Sequence, residues 1–348
     1  MHCNFSNFIS SLPLLDVPVH AFVLDSPGLR LDIYFVVCYN NQKYILCPLK
    51  CVHCYLTGKS YVQLDLDQVI DVVDQAERLN VLKLTFTGGD ILSYPFIDEV
   101  LMYARQRGFC VNVLSSLYTH DLEKIKLLKN TVHQLGVSLY GSTPREHEAV
   151  TGICGSFDVT VHNIEVLKPY INLLNVNVSL LRHNIVHWKQ IRDFVVYELG
   201  ANVNFNFRIF DQLGRLDRNI MADEKEIISY LNQAVLPLNP RAKICNAGRR
   251  TLCILADGTI SPCVFFSKAL GNIKQDSLAS VWENSEYLKR LRTITEDEFC
   301  KCRSCQYEPY FYGCIGDNYS ENADVTIPSK NNCDMCRLYH DADKLLCI

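Results

Sequence analysis

The stretch YILCPLKCVHCYLTGKS, residues 44–60, carries three cysteines within eight residues, at Cys47, Cys51 and Cys54. This Cys-x3-Cys-x2-Cys run follows a short apolar lead at 44–46 that has the character of a strand. Three thiols are one ligand short of the four that close a structural zinc site. They also suit an iron–sulfur cluster held by thiolates. The spacing alone leaves both kinds of centre open.

The composition sets broad limits on the function. The chain has 348 residues, of which 48% are apolar and 21% charged, enough for two domains with a large core. A net charge of -4 without a Lys/Arg block argues against nucleic acid as a partner. No apolar stretch is long enough for a membrane span, and the N-terminus lacks the basic start of a secretory signal. We therefore expect a cytoplasmic protein, in which the 12 of its 17 cysteines that fall in two groups, at 47–54 and 245–336, indicate metal ligands rather than disulfides.

Strand-like and helix-like patterns alternate along the first two thirds of the chain. The strands are expected at 43–46, 82–90, 109–116, 134–141, 172–181 and 202–210. The helices are expected at 69–79, 95–108, 120–130, 157–168, 185–199 and 222–235. This alternation predicts an α/β fold with a parallel sheet, and six units are too few for a closed eight-stranded barrel. We expect a partial (β/α)6 TIM-like barrel, curved and open, with its site at the carboxyl ends of the strands.

The character of the sequence changes near residue 240, where nine cysteines crowd into 245–336. The Asp257-Gly258 pair between apolar runs predicts a hairpin, and 278–294 has the pattern of one amphipathic helix. The rest of the tail reads as loop held by cysteines. We divide the chain into an N-terminal segment at 1–30, a barrel at 31–236 and a cysteine-rich domain at 237–348.

Two motifs together resemble those of the radical S-adenosylmethionine (radical SAM) superfamily. One is the cysteine run after the first strand, and the other is TGGD, residues 87–90, after the second. The resemblance covers about 30–235. It implies a [4Fe-4S] cluster on Cys47, Cys51 and Cys54, whose open iron is chelated by S-adenosylmethionine. Reductive cleavage then gives a 5′-deoxyadenosyl radical that abstracts hydrogen from a substrate.

The same resemblance suggests which residues hold S-adenosylmethionine. His53 occupies the position of a ring near the adenine. Gly88 and Gly89 let backbone groups approach a ligand closely, and Asp90 stands where the family usually has Glu. Candidates at later strand ends for the ribose or carboxylate are Ser115, Ser138 and Asn184. QLGR at 212–215 and the stretch 136–157 with its TG…GSF pattern also resemble this family, and we expect His147 there to be structural.

The tail resembles the SPASM extension of peptide-modifying members. Twelve residues separate Cys245 from Gly258, and four separate Gly258 from Cys263. The resemblance implies one or two auxiliary [4Fe-4S] clusters. Family order gives the first cluster Cys245, Cys253, Cys263 and Cys314. It gives the second cluster Cys302, Cys305, Cys333 and one more ligand.

The second cluster departs from the family pattern. Phe311 stands where its third cysteine belongs, while Cys300 and Cys336 are spare thiols. We include Cys336 among the expected metal ligands, and the choice between it and Cys300 stays open. Two Cys-x2-Cys pairs, at 302–305 and 333–336, also leave a zinc-ribbon-like module as an alternative.

The function expected from these resemblances is that of a radical SAM/SPASM maturase. It would modify a ribosomally made peptide by forming a thioether or carbon–carbon crosslink, or by epimerisation. Its expected partners are a precursor peptide or protein, an electron donor such as flavodoxin or ferredoxin, and a separate leader-binding protein, since the segment before Cys47 is short for a leader-binding domain. The general base is not identified.

Other functions stay open at this stage. A sulfatase-type maturase or a cofactor- or heme-pathway oxidoreductase could carry the same tail. An alternative of another class is a non-catalytic zinc or iron–sulfur scaffold that binds a protein. The glycine pair at 88 and 89 counts against a scaffold, since a scaffold has no ligand to admit there.

Overall fold

A parallel sheet backed by helices makes up the first part of the fold. The structure is a computed structural model that describes residues 32–36, 47–54, 62–207, 218–234, 245–310 and 314–346. The parallel strands are β1 Asp32–Val36, β2 Lys83–Thr87, β3 Cys110–Ser115, β4 Gln134–Ser138, β5 Leu173–Ser179 and β6 Asn202–Asn206. They lie in the order β6-β5-β4-β3-β2-β1, each bonded to its neighbours in chain order. The predicted partial barrel is therefore confirmed.

Helices connect these strands, and several of them begin at a residue whose side chain accepts a hydrogen bond from the first backbone N–H groups. They are α1 Leu66–Arg78, α2 Ile97–Gln106, α3 Leu122–Thr131, α4 Pro144–Thr151, α5 Ser156–Leu167, α6 Trp188–Asp193 and α7 Glu224–Gln233. The Asp121 carboxylate accepts hydrogen bonds from the backbone N–H groups of Glu123 and Lys124, and so caps α3. Thr143 caps α4 in the same way, with Pro144 at its first turn.

The two faces of the sheet differ because side chains alternate along each strand. In β5, Leu174, Val176 and Val178 are buried in the core shared with the helices. The residues between them are half-buried on the opposite face, which we call the inner face. Aromatic packing reinforces the core: Phe35 of β1 stacks on its register partner Phe86 of β2, with ring centroids 4.9 Å apart.

The cysteine-rich tail extends the same sheet. Its strands are β7 Thr251–Ile254, β8 Thr259–Ser261 and β9 Gly271–Asn272. β7 pairs in parallel with β1, placing Thr251 opposite Asp32, and β8 and β9 follow in antiparallel order. The predicted hairpin at Asp257-Gly258 is confirmed, and Gly258 adopts a φ of +88° that suits glycine.

Two predictions for the tail are wrong. The expected helix over 278–294 is two helices, α8 Leu278–Asn284 and α9 Glu286–Thr293, because extended Ser285 ends the first and its side chain caps the second at Leu288. The rest of the tail is also largely helical rather than loop. It contains α10 Cys300–Arg303, α11 Ile315–Asn322 and α12 Lys330–Leu346.

Several expectations fall on residues outside the described part of the chain. These are the N-terminal segment 1–30, the strand at 43–46, QLGR at 212–215, the domain boundary near 236 and Phe311. The described strand that precedes the cysteine loop is β1. Within the described ranges, no helix has both the length and the apolar character needed to cross a bilayer.

Candidate active site

The cysteine loop, residues 47–54, is fixed in place by the end of α4. The backbone N–H of Lys50 donates to the carbonyl of Thr151 at 2.8 Å, and that of Val52 donates to Val150 at 3.0 Å. Gly152 ends α4 with a φ of +68°, and a Cβ at this position would lie 3.3 Å from both Cβ and the carbonyl oxygen of Lys50. Glycine is therefore needed here for its backbone conformation and for the close approach of the loop.

The three thiols of the loop form one electrostatic group. Burial raises the pKa of Cys47, and the nearby Asp90 carboxylate and the other two thiols raise it further. Burial, with the neighbouring Cys54, raises the pKa of Cys51 to about 12, opposed by a hydrogen bond with the Tyr140 side chain. Without a bound cation, the thiols of Cys47 and Cys51 therefore stay protonated.

This donor set fits an iron–sulfur cluster. Thiolates are the ligands that iron–sulfur clusters use, and a cationic cluster would offset the electrostatic cost of ionising three neighbouring thiols. Among the described residues, no three His, Cys, Asp or Glu side chains converge closely enough to hold a single metal ion. Ligands of a cluster need not converge in this way, since each thiolate binds a different iron.

His53 presents a neutral ring beside the thiols. Burial, together with nearby His183, lowers its pKa to about 4. The edge of the His53 ring meets Tyr140, with centroids 5.0 Å apart. Its buried Nδ1 has no hydrogen-bond partner among the described residues. An unpaired buried polar atom is costly, so this nitrogen is suited to a ligand that brings a hydrogen-bonding group.

Asp90 joins the ends of β2 and β3. Its buried carboxylate accepts hydrogen bonds from the Ser115 hydroxyl at 2.9 Å, from both the backbone N–H and the hydroxyl of Ser116, and from the backbone N–H of Leu92 at 3.0 Å. The Ser115 hydroxyl also accepts from the N–H of Leu117. Asp90 and Ser115, both predicted to contact the cofactor, thus use their side chains for hydrogen bonds within the protein. The neighbouring Gly88 and Gly89 are half-buried, and their backbone groups are the ones available to a ligand.

Asn184 and Ser138 lie around the ends of β4 and β5. Asn184 is fully buried: its amide donates to the carbonyls of Tyr140 and Ser179, and its Oδ1 accepts from the N–H of Leu181. It therefore braces the two strand ends rather than presenting a free polar group. Ser138 is half-buried and hydrogen-bonds the Tyr140 hydroxyl, so it reaches the thiols through Tyr140.

His147 supports the same tyrosine from the other side. Its Nδ1 accepts a hydrogen bond from the backbone N–H of Tyr140 at 3.1 Å, and the two rings stack with centroids 5.6 Å apart. Burial lowers the pKa of His147 to about 4, so the ring is neutral. These contacts agree with the structural role expected for His147.

The inner face of the sheet below the loop is polar and almost uncharged. Its polar positions, from β1 to β6, are Tyr34, Thr85, Thr87, Asn112, Gln134, Ser138, Asn175, Asn177, Ser179, Asn202, Asn204 and Asn206. Amide groups bond along it, as from Asn204 to Asn177 at 3.2 Å. The charged positions on the inner face of these strands are Asp32 and Lys83, which form an ion pair at 3.1 Å. This surface suits a neutral, hydrogen-bonding ligand.

A second thiol group adjoins the inner face. It consists of Cys245, Cys253 in β7, Cys263 after β8 and Cys314 before α11. Burial raises the pKa of Cys263, and the thiols of the other three raise it further. Cys253 packs with Cys54 and Tyr34 in one small cluster, so this group lies near the cysteine loop.

The third group combines two cysteines near α10 with two on α12. Burial raises the pKa of Cys302 to about 11, and Cys333, Cys336 and Cys305 raise it further. Cys300 is an exposed thiol, as are Cys305 and Cys333, but it is absent from the residues that raise the pKa of Cys302. The structure thus brings together the predicted ligands in three separate groups.

Several residues that build the site carry no clear signal in the sequence. Gly152 stands in the TG…GSF pattern, but nothing in that pattern indicates its contact with Lys50. Tyr34 lies in a strand that was not assigned, and its pKa is raised by burial, Asp32 and the thiols of the second group. The side chain of Asn332 on α12 accepts a hydrogen bond from the backbone N–H of Cys314 and donates one to the backbone carbonyl of Cys314. Sequence spacing does not signal this contact.

Comparisons with known proteins agree with this arrangement. The family model of the Radical SAM superfamily matches residues 43–195, and that of an iron-sulfur cluster-binding domain, SPASM, matches 245–306. The antilisterial bacteriocin subtilosin biosynthesis protein AlbA of Bacillus subtilis (strain 168) is 29% identical over 79% of this chain and 66% of its own length. An AdoMet-dependent heme synthase of Methanosarcina barkeri is 24% identical over 80% of this chain and 90% of its own.

A solved structure shares the fold over most of the chain. Streptococcus suis SuiB bound to precursor peptide SuiA has a TM-score of 0.66 at 15% identity, covering 87% of this chain and 76% of that one.

Proposed function

The chain belongs to the radical SAM superfamily and continues into a SPASM iron–sulfur domain, and from this premise we propose that it is an enzyme that modifies a ribosomally made peptide or protein. The observation that carries the proposal is the group of three thiols above a polar inner face, beside a buried His53 nitrogen that has no hydrogen-bond partner in the described part of the chain. A non-catalytic scaffold has no use for such a face.

The residues of the loop have separate tasks in this proposal. Cys47, Cys51 and Cys54 would hold a [4Fe-4S] cluster and leave one position for S-adenosylmethionine. When both are bound, the cluster and S-adenosylmethionine would supply a 5′-deoxyadenosyl radical that abstracts hydrogen from the substrate. His53 and the backbone at Gly88 and Gly89 would orient S-adenosylmethionine, while Asp90 and Asn184 keep the strand ends in place. The buried walls exclude water from a reactive centre.

The inner face favours a peptide as substrate. Asparagine side chains offer both a donor and an acceptor, as backbone amides require, and AlbA takes part in the biosynthesis of a bacteriocin. Hydrogen abstraction from such a substrate would begin a thioether or carbon–carbon crosslink, or an epimerisation.

A heme-pathway reaction is less well matched to this face, although the heme synthase covers more of its own length. Heme carries carboxylate side chains, which need cationic partners when buried. On the inner face of β1 to β6 the cation is Lys83, which is already paired with Asp32.

Partners and location follow from this reaction. We propose a flavodoxin or ferredoxin as electron donor, a separate leader-binding protein, and a cytoplasmic location, where thiols stay reduced for cluster assembly. The second and third thiol groups would hold the auxiliary clusters.

The proposal is tested with anaerobically purified protein. Iron and sulfide are measured first, followed by formation of 5′-deoxyadenosine from S-adenosylmethionine with dithionite. About 12 irons per chain are expected for three clusters, and C51A should lose about four of them and all cleavage. The exposed cysteine variant C154A is the matched control and should behave like wild type. Zinc in place of iron, without cleavage, would support the scaffold instead.

The substrate is tested separately. Candidate precursor peptides are incubated with the active enzyme and followed by mass spectrometry, where a new crosslink appears as the loss of two hydrogens. Turnover of a carboxylate-bearing tetrapyrrole but not of peptides would contradict the peptide assignment.

A further inference from the structure

The third thiol group raises a question that the family pattern does not answer. That pattern expects a cysteine at 311, where this chain has Phe311. Cys302, Cys305 and Cys333 supply three thiols, and two others, Cys300 and Cys336, are near in sequence. The fold decides between them.

Aromatic contacts show how the segment after Cys302 lies on α12. Tyr307 and Tyr310 both pack edge-on against His340, with ring centroids 4.9 Å and 5.7 Å away. The Tyr310 hydroxyl also donates to the Asp343 carboxylate. The segment 307–310 is therefore held against one face of α12.

The same face of α12 carries two cysteines. Residues at i, i+3 and i+7 share a helix face, which places Cys336 about one turn and Cys333 about two turns before His340. Cys336 is 5% exposed and belongs to the core that also contacts Cys302.

Cys300 is placed differently. It lies two residues before Cys302 on α10, so its side chain points about 200° around the helix from that of Cys302. Its thiol is exposed and lies 3.8 Å from the carbonyl oxygen of Asp297. The Cys300 thiol thus donates to a backbone carbonyl on the side of α10 opposite Cys302.

We propose that Cys302, Cys305, Cys333 and Cys336 together hold the second auxiliary iron–sulfur cluster, with Cys336 on α12 replacing the thiol absent at Phe311. This assignment rests on the proposed function for the presence of a cluster, and adds the source of its fourth ligand. Relocation onto α12 ties the C-terminal helix directly to the cluster, so cluster loading and the docking of α12 are coupled.

The test compares iron and acid-labile sulfide in wild type, C336A, C336S and C300A after anaerobic reconstitution. Wild type should contain about 12 irons per chain. Both Cys336 variants should fall toward eight, or change the Mössbauer spectrum of one cluster, and C300A should match wild type. Because Cys336 is buried, C302A provides a second variant that should show the same loss, and circular dichroism checks that each protein is folded.

Three outcomes would overturn the assignment. They are wild-type iron and spectra in C336A and C336S, iron loss in C300A, or one zinc per chain with about eight irons in wild type. Cleavage of S-adenosylmethionine by the wild-type protein tests the proposed function independently of these variants.

Discussion

Replacing Gly152 with alanine should loosen the cysteine loop, and Gly155 provides a matched control. Both glycines have positive φ, +68° and +79°. A Cβ at Gly152 would lie 3.3 Å from two atoms of Lys50, between Cys47 and Cys51, whereas a Cβ at Gly155 meets no atom within 4 Å. The two variants therefore share backbone strain and differ in the contact.

The magnitudes follow from these two effects. Left-handed backbone at alanine costs about 1–2 kcal/mol, and this applies to both G152A and G155A. The tight contact adds about 1–3 kcal/mol to G152A alone, because the Lys50 backbone is itself hydrogen-bonded to Thr151 and cannot retreat freely. We expect G152A to be the less stable of the two by this added amount.

Urea unfolding of the apo-proteins measures the loss of stability in the two variants. Iron content and 5′-deoxyadenosine formation measure whether the cysteine loop still holds its cluster. G152A should load less iron and cleave S-adenosylmethionine more slowly, while G155A should keep both near wild type. Equal losses in the two variants would mean that backbone strain alone matters and that the loop does not depend on its contact with Gly152.

Three further changes probe the supports of the site. N184A leaves three buried backbone groups unpaired and should lower the free energy of unfolding by about 2–4 kcal/mol in urea; a change below about 0.5 kcal/mol would show that Asn184 is no brace. D90N places an amide NH2 group, which cannot accept hydrogen bonds, against the two donors of Ser116 and should lower the free energy of unfolding by about 3 kcal/mol in the same assay. An unchanged free energy of unfolding would contradict this. Because the pKa of His147 falls from 6.5 to about 4 on folding, the unfolded chain gains a proton first and stability falls as pH drops from 6.5 to 4, by about 1.4 kcal/mol per unit. H147N keeps an acceptor for the Tyr140 N–H and should make unfolding curves at pH 7 and 5 differ less than in wild type; an unchanged difference would assign the pH dependence to other groups.

The strand and helix pattern of the barrel was readable because local sequence decides it. The buried positions Val69, Val72, Val73 and Ala76 of α1 repeat at helical spacing, and β3 and β5 alternate buried and half-buried residues. These features depend on which face of an element meets the core, and the spacing of apolar residues along the sequence records that directly.

The tail was harder to read for a physical reason. The cysteines and turn residues between 295 and 333 hide the periodicity of α11 and α12, and Ser285 can either continue or cap a helix. Which thiols meet depends on contacts between distant segments, such as Tyr310 with Asp343. Similarly, Asn184 lies at a strand end as expected, but its internal hydrogen bonds could be learned only from the fold.

The pairing of β1 with β7 has a consequence for biosynthesis. β1 belongs to the start of the barrel and β7 to the tail, so the two strands leave the ribosome far apart in time. Until β7 arrives, β1 is the edge of the described barrel sheet, with unpaired backbone groups along it. Such distant pairing slows folding, and a chain cut after the barrel should aggregate through this open edge. Expression of the full-length chain, with slow synthesis and iron supplied during growth, should therefore give more dispersed protein than expression of the barrel alone.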